Sequence, residues 1–401
     1  MMAGWLSKKE KTMKGFQLFL LLLLLPFGGC QEEEVGPSSD CTVEDYSDHL
    51  RAGAYQSLME EFTRKGLPGI SMLIRDKDGT WAGAAGMADI DKGIPMRACH
   101  VSKVASITKL FIGTLSLQLV EDGFFTLDDP VNKWLPRRIT DKVANANAVT
   151  MRNLLQHTSG IPDLIEDNAF YLAVLNDPSK YWEPEELLKY IYNDSPVFAP
   201  GEQVSYSNTN LLLAIMVIES ATKRSHAELL HEYILDPLGL ENSYYHWHDP
   251  LPPFTAQGYF DLYNNGTILN LSNFNTGSGN GYGGLYSTVF DLQVFLEALF
   301  REKTLLSPAG LQAMLTYTER EVDNDRAFGI TVNKDFIDRA PDEFGLGHRG
   351  RDLAYTADAY YFPNQDITLA YLVNYGTDAK SELKPVFLEF RNSVVDLIMQ
   401  K

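Results

Sequence analysis

Val104-Ala105-Ser106-Ile107-Thr108-Lys109-Leu110-Phe111 sets a serine and a lysine three residues apart inside an apolar run. Residues three apart on a helix share a face, so the two side chains meet. Leu110, Gly113, Leu117 and Val120 continue the spacing and Glu121-Asp122-Gly123 ends it, which predicts a helix over 106–119. A serine hydroxyl is a poor nucleophile until a base takes its proton. Lysine is such a base only when neutral, and burial beside Val104, Ala105, Leu110 and Phe111 lowers its pKa. Alone the pair is weak evidence, since Ser-x-x-Lys arises by chance about once in a chain of this size.

Two further elements stand downstream. Tyr206-Ser207-Asn208 opens an apolar helical stretch. A tyrosine oxygen relays a proton to a leaving group, and an asparagine amide holds a carbonyl and a lysine at once. The plainer alternative is a packed tyrosine beside a helix cap made by Ser207 or Asn208. His348-Arg349-Gly350 precedes the last β-rich segment. Its histidine sets positive charge beside a tyrosine, and its glycine lets backbone approach a ligand.

In this order the three motifs resemble the serine β-lactamase and penicillin-binding protein superfamily. Phe124–Val131, Leu154–Pro162, Phe198–Gly201, Pro237–Leu240, Gly283–Thr288 and Tyr371–Asn374 are similar to its segments too, so the resemblance covers about residues 55–395. Tyr-Ser-Asn followed by a histidine motif resembles the D,D-peptidase and esterase branches more than class C β-lactamases. The resemblance implies Ser106 as nucleophile, with Lys109 or Tyr206 as its base. It implies Tyr206 as proton donor to the leaving group, Asn208 as the residue orienting the substrate carbonyl and Lys109, and His348 as steering Tyr206. It places the oxyanion between the backbone N–H groups of Ser106 and Arg351. Arg349 and Gly350 are expected to bind substrate, although Arg349 stands where peptidases of the family often carry threonine. No metal or cofactor is implied.

Working outward, Ile70, Met72 and Ile74 alternate along 69–86 with a turn at Asp78-Gly79, which predicts a β-hairpin. Ala359–Phe362 and Ile367–Val373 predict another around Pro363-Asn364-Gln365-Asp366. Helices are expected at 208–219, 290–300 and 382–399. Prolines break 127–250 into short helices and loops, and 277–284 is a glycine-rich loop expected at the rim of the site. The result is an α+β class: an antiparallel sheet flanked by helices, with a large, mostly helical insertion. The boundaries read as a signal peptide at 1–29, an acidic flexible tether at 30–48, and one catalytic domain at 49–401. In that domain 49–110 and 290–401 form the sheet subdomain and 111–289 the helical one.

At the N-terminus lysines precede the apolar run Leu18–Leu25, which is shorter than the ~20 residues a membrane span needs. Pro26-Phe27-Gly28-Gly29-Cys30 resembles a bacterial lipobox, implying export and a lipid on Cys30. The acidic Gln31–Glu34 that follows resembles the surface-export signal of Bacteroidetes lipoproteins. Expected localisation is thus the bacterial envelope, at the outer membrane, with the cell surface as one destination. The formal charge of −19 disfavours nucleic acid as a partner. Cys41 and Cys99 either pair in an oxidising compartment or remain thiols.

Three functions stay open for what is expected to be a monomer. The first is a D-alanyl-D-alanine carboxypeptidase-like or β-lactamase-related enzyme acting on small peptides or β-lactams. The second is an esterase or small-amide hydrolase with the same residues. The third is a non-catalytic penicillin-recognising protein. His246-Trp247-His248 lacks a third metal ligand at a recognisable spacing. The 277–284 loop lacks a Walker lysine, and Ser159 reads as part of a turn.

Overall fold

The two-residue alternation of β1 (Gly69–Asp76) has a direct structural counterpart. Ile70, Met72 and Ile74 enter one apolar core and Leu73 the other, so the strand is covered on both faces. The computed structural model describes residues 35–318, 326–340 and 342–399. Its main sheet has eight antiparallel strands. From one edge they are β3 (Ile94–Pro95), β2 (Gly79–Asp89), β1, then Ile367–Val373, Thr356–Phe362, Gly345–Arg351, Asn333–Asp335 and Arg326–Phe328. Both predicted hairpins form, and they meet at the centre, where β1 pairs with Ile367–Val373 in the register Ile70↔Val373 to Ile74↔Leu369.

Helix α1 (Ala52–Arg64) and the C-terminal helix Leu383–Met399 cover one face. Tyr55, Met59, Phe62, Phe387, Phe390 and Val394 pack there on Leu369, Tyr371 and Val373. The other face carries Ala357, Ala359, Ala370 and Leu372, mostly small side chains, against which Val289–Leu296 and the 105–107 turn settle. Beyond them lies α2 (Thr108–Glu121). It is buried nearly all round, which marks a central helix. It packs against the helix Asn208–Thr222, also sunk in the core. Each fully buried leucine or isoleucine there contributes ~1.5–3 kcal/mol. A three-stranded sheet of Ser102–Lys103, Leu285–Ser287 and Tyr244–Tyr245 ties the start of the Ser106 segment to the end of the glycine loop. The α+β class expected from the sequence is the one observed.

Three details differ from expectation. The segment before α2 is not α-helical: residues 105–107 form a 3-10 turn and the α-helix begins at Thr108. Residues 35–41 of the expected tether are docked. Val35 and Ser38 are buried, Val35 N–H donates to Asn273 Oδ1, and Ser39 N–H donates to the Pro253 carbonyl. Cys41 is disulfide-bonded to Cys99, which settles the open alternative and pins this segment to the domain. Ser207 occupies the N-cap position of its helix but makes no side-chain cap; its hydroxyl donates to the Pro162 carbonyl instead. The expected signal segment and Cys30 lie outside the described residues.

Candidate active site

Val104 enters from the small sheet and Ala105 takes a left-handed backbone, with φ 50°. A non-glycine residue pays on the order of 1–3 kcal/mol for such a conformation. The bend lifts Ser106 onto the tight turn at the end of the buried helix. Thr108 Oγ1 donates to the Ala105 carbonyl and fixes it. On the far side, a Cβ on Gly350 would stand 2.1 Å from the Val104 carbonyl oxygen. Only glycine lets the Gly345–Arg351 strand approach so closely, and its neighbour Arg351 shares the cleft wall with Ser106.

Lys109 is fully buried. Its Nζ lies 3.0 Å from Ser106 Oγ, 2.8 Å from Asn208 Oδ1 and 2.6 Å from the Tyr282 carbonyl oxygen. The last two atoms only accept hydrogen bonds. A neutral amine has two N–H groups and one lone pair, so both acceptors are satisfied and the lone pair is left for the Ser106 hydroxyl. Burial pulls the Lys109 pKa down to about 7, while the charges of Asp163, Asp352 and Asp378 hold it up against that pull.

Asp163 explains why Asn208 presents its oxygen to the lysine. Its Oδ2 accepts from Asn208 Nδ2 at 2.9 Å, which fixes the amide orientation. Asp163 also caps the turn that follows, through Ile165 N–H. Desolvation raises its carboxyl to about 6, partly offset by hydrogen bonds from Asn208 and Ile165 and by the Lys109 charge. Tyr206 stacks on His157, with ring centroids 4.5 Å apart, and Lys109 Nζ sits 4.9 Å from the Tyr206 ring centre. The His348 ring is 6.3 Å from that of Tyr206. Its Nδ1 lies 2.6 Å from the Arg349 carbonyl oxygen. That oxygen can only accept, so Nδ1 carries the proton.

Ser106, Tyr206, Asn208, His348, Arg349 and Arg351 all line one cleft of about 650 Å³, within the range of small-ligand sites. Every catalytic residue expected from sequence is therefore brought together around Ser106. Arg349 is the residue whose placement qualifies its expected part. Its guanidinium is bound to Asp335, a fully buried carboxylate, so the charge expected for a substrate carboxylate already has an internal partner. Arg351 is held likewise by Asp358, and Arg391 by both aspartates. The 277–284 loop reaches the site as expected, and its Tyr282 carbonyl touches the lysine itself. His246 and His248 build no metal cluster among the described residues, and Ser159 holds Asn210 rather than facing the cleft.

Asp163 and the Tyr282 carbonyl were not foreseen. Asp163 stands one residue beyond Leu154–Pro162, so its position was within reach; a backbone carbonyl leaves no side-chain signal. His157 lay inside that stretch, and only the structure shows it as the platform for Tyr206.

The Beta-lactamase family pattern matches residues 52–386. This chain belongs to that family. Its structure superposes on a D-stereospecific amidohydrolase from Streptomyces sp. with a TM-score of 0.71 and 30% identity, covering 80% of this chain and 94% of that one. For a D-amino acid amidase from Ochrobactrum anthropi SV3 the values are 0.75 and 25%, covering 86% and 97%. The D-alanyl-D-alanine-carboxypeptidase/endopeptidase AmpH of Escherichia coli (strain K12) is 25% identical over 255 residues, 64% of this chain and 60% of that protein. The chain spans 37% to 60% of the length of the first curated relatives it matches. The family and fold expected from the motif order are thereby borne out.

Proposed function

We propose that this chain hydrolyses small peptides or amides through an acyl-enzyme on Ser106. The observation that carries this is the Lys109 contact set: two acceptors take its N–H groups and leave its lone pair for Ser106 Oγ. Ser106 Oγ bonds to the substrate carbonyl carbon while its proton passes to Lys109 Nζ. The oxyanion rests on the N–H groups of Ser106 and Arg351. The carbon–nitrogen bond then breaks, and the leaving amine takes a proton through Tyr206, which His348 steers. Water attacks the ester in the same site, frees the acid and returns the proton to Ser106. This geometry favours Lys109 over Tyr206 as the acylation base.

The substrate end is read from charge. A carboxypeptidase needs a cation for the terminal carboxylate of its substrate, yet Arg349, Arg351 and Arg391 are tied to Asp335 and Asp358, and Lys384, which also lines the cleft, has the Asp378 charge beside it. Amide hydrolysis, as in the names of the amidase and amidohydrolase neighbours, is therefore preferred to carboxypeptidase action. Export with a lipid on Cys30, anchorage in the envelope and action as a monomer complete the proposal. The test is kcat/KM on D-amino acid amides, D-Ala-D-Ala peptides and nitrophenyl acetate, with Ser106→Ala beside wild type. Turnover of amides that vanishes in the variant supports the reading. Undiminished turnover in Ser106→Ala, or ester cleavage alone, overturns it.

A further inference from the structure

A recess of about 40 Å³ opens beside Ser106, walled by Tyr171, Thr276, Ser278, Asp352 and Asp378. It is large enough for one group of the size of water or ammonium. Two observations say what such a group would be. Ser278 is 3% exposed, and its hydroxyl has no hydrogen-bond partner among the described residues. A buried hydroxyl left so costs about 1–3 kcal/mol. Its backbone cannot turn away, because Ser278 N–H donates to Asn275 Oδ1 and Gly277 holds φ 94°. A Cβ at Gly277 would also stand 1.6 Å from the Tyr282 hydroxyl oxygen.

The second observation is the charge around the recess. Asp352 is already paired, with Lys103 Nζ at 2.6 Å and Thr276 Oγ1 at 3.0 Å. Asp378 is different. It stands exposed at the rim, and Lys384 reaches its backbone carbonyl at 2.9 Å. Asp163 and Glu166 add negative charge across the cleft. The cations there are Lys109 on the catalytic side, Lys103 already bound to Asp352, Lys384 beside Asp378, and the arginines already bound to Asp335 and Asp358.

We propose that this recess is a subsite for the ammonium group of the acyl donor, so that the chain prefers amides or peptides of amino acids whose amino group is free. The proposal rests on the acyl-enzyme reading above. Asp378 takes the charge, and the Ser278 and Tyr171 hydroxyls take the remaining N–H groups. An ammonium there also offsets the Asp352 and Asp378 charges that hold the Lys109 pKa up, so binding favours the neutral base.

The test follows labelling of Ser106 by a fluorophosphonate in the presence of D- or L-phenylalaninamide, or of the same amides acetylated on nitrogen. A charge-assisted hydrogen bond is worth ~1.5–3 kcal/mol, so the free amine of one enantiomer should protect at a concentration about tenfold or more below its acetylated form. In Asp378→Asn that ratio should fall to within about threefold of one, and in Ser278→Ala it should drop partway, each measured against the variant's own unprotected rate. Equal protection by free and capped amides, protection by neither, or a ratio that survives in Asp378→Asn overturns the subsite and leaves the hydrolase standing. Absence of labelling on Ser106 in wild type overturns both.

Discussion

Two substitutions at Asp163 separate its charge from its hydrogen bond. Asp163→Asn keeps an oxygen able to accept from Asn208 Nδ2 and removes the charge; Asp163→Ala removes both. The Asp163 charge favours the ammonium form of Lys109, whose pKa stands at about 7. Without it that pKa falls and the neutral base persists to lower pH. Asp163 acts across Asn208 rather than in contact, so the shift belongs at the small end of charge effects, about one unit. The acid limb of kcat/KM should therefore move to lower pH in Asp163→Asn, with the plateau little changed. In Asp163→Ala the Asn208 amide loses the contact that orients it. A hydrogen bond to a charged group is worth ~1.5–3 kcal/mol, so the plateau should drop by about 10- to 100-fold. The assay is a pH–rate profile on an amide substrate from pH 5 to 9 (a range chosen to bracket about 7). An acid limb that moves to higher pH in Asp163→Asn, or a full plateau in Asp163→Ala, refutes the chain from Asp163 through Asn208 to Lys109.

Tyr206→Phe keeps the stack on His157 and removes the proton carrier, so turnover should fall by about 10²–10⁴-fold with little change in thermal melting. Cys99→Ser opens the link to Cys41, across a sequence separation of 58; denaturant unfolding should report a loss of about 2–4 kcal/mol. Gly350→Val drives a side chain onto the Val104 carbonyl, and should cost about 1–3 kcal/mol with loss of activity beyond the loss of folded protein. A Gly350→Val enzyme with full activity would contradict the close approach of that strand to the nucleophile turn.

What could be read before the structure follows from where the signal is carried. Ile70, Met72 and Ile74 announce a strand because one strand face must be apolar, and the pairing to Ile367–Val373 completes the same rule. Ser106, Lys109, Tyr206 and Asn208 were legible because their chemistry is in side chains at recognisable spacings. The Ala105 bend was not, since alanine gives no hint of a left-handed backbone and only the packing of Gly350 against Val104 requires it. Nor was the internal pairing of Arg349: Asp335 lies 14 residues away on another strand, and sheet register brings the two together. The docked segment from Val35 was hidden for the same reason, as its partners Asn273 and Pro253 are remote in sequence.

The central claim is that Ser106 is a nucleophile activated by buried Lys109. It is tested most directly by fluorophosphonate labelling, intact mass and peptide mapping of wild type, Ser106→Ala and Lys109→Ala. The account predicts one adduct in wild type, on the peptide carrying Ser106. It predicts no adduct in Ser106→Ala and labelling slowed by about 10²–10⁴-fold in Lys109→Ala. An adduct that persists in Ser106→Ala, or an undiminished rate in Lys109→Ala, would contradict it.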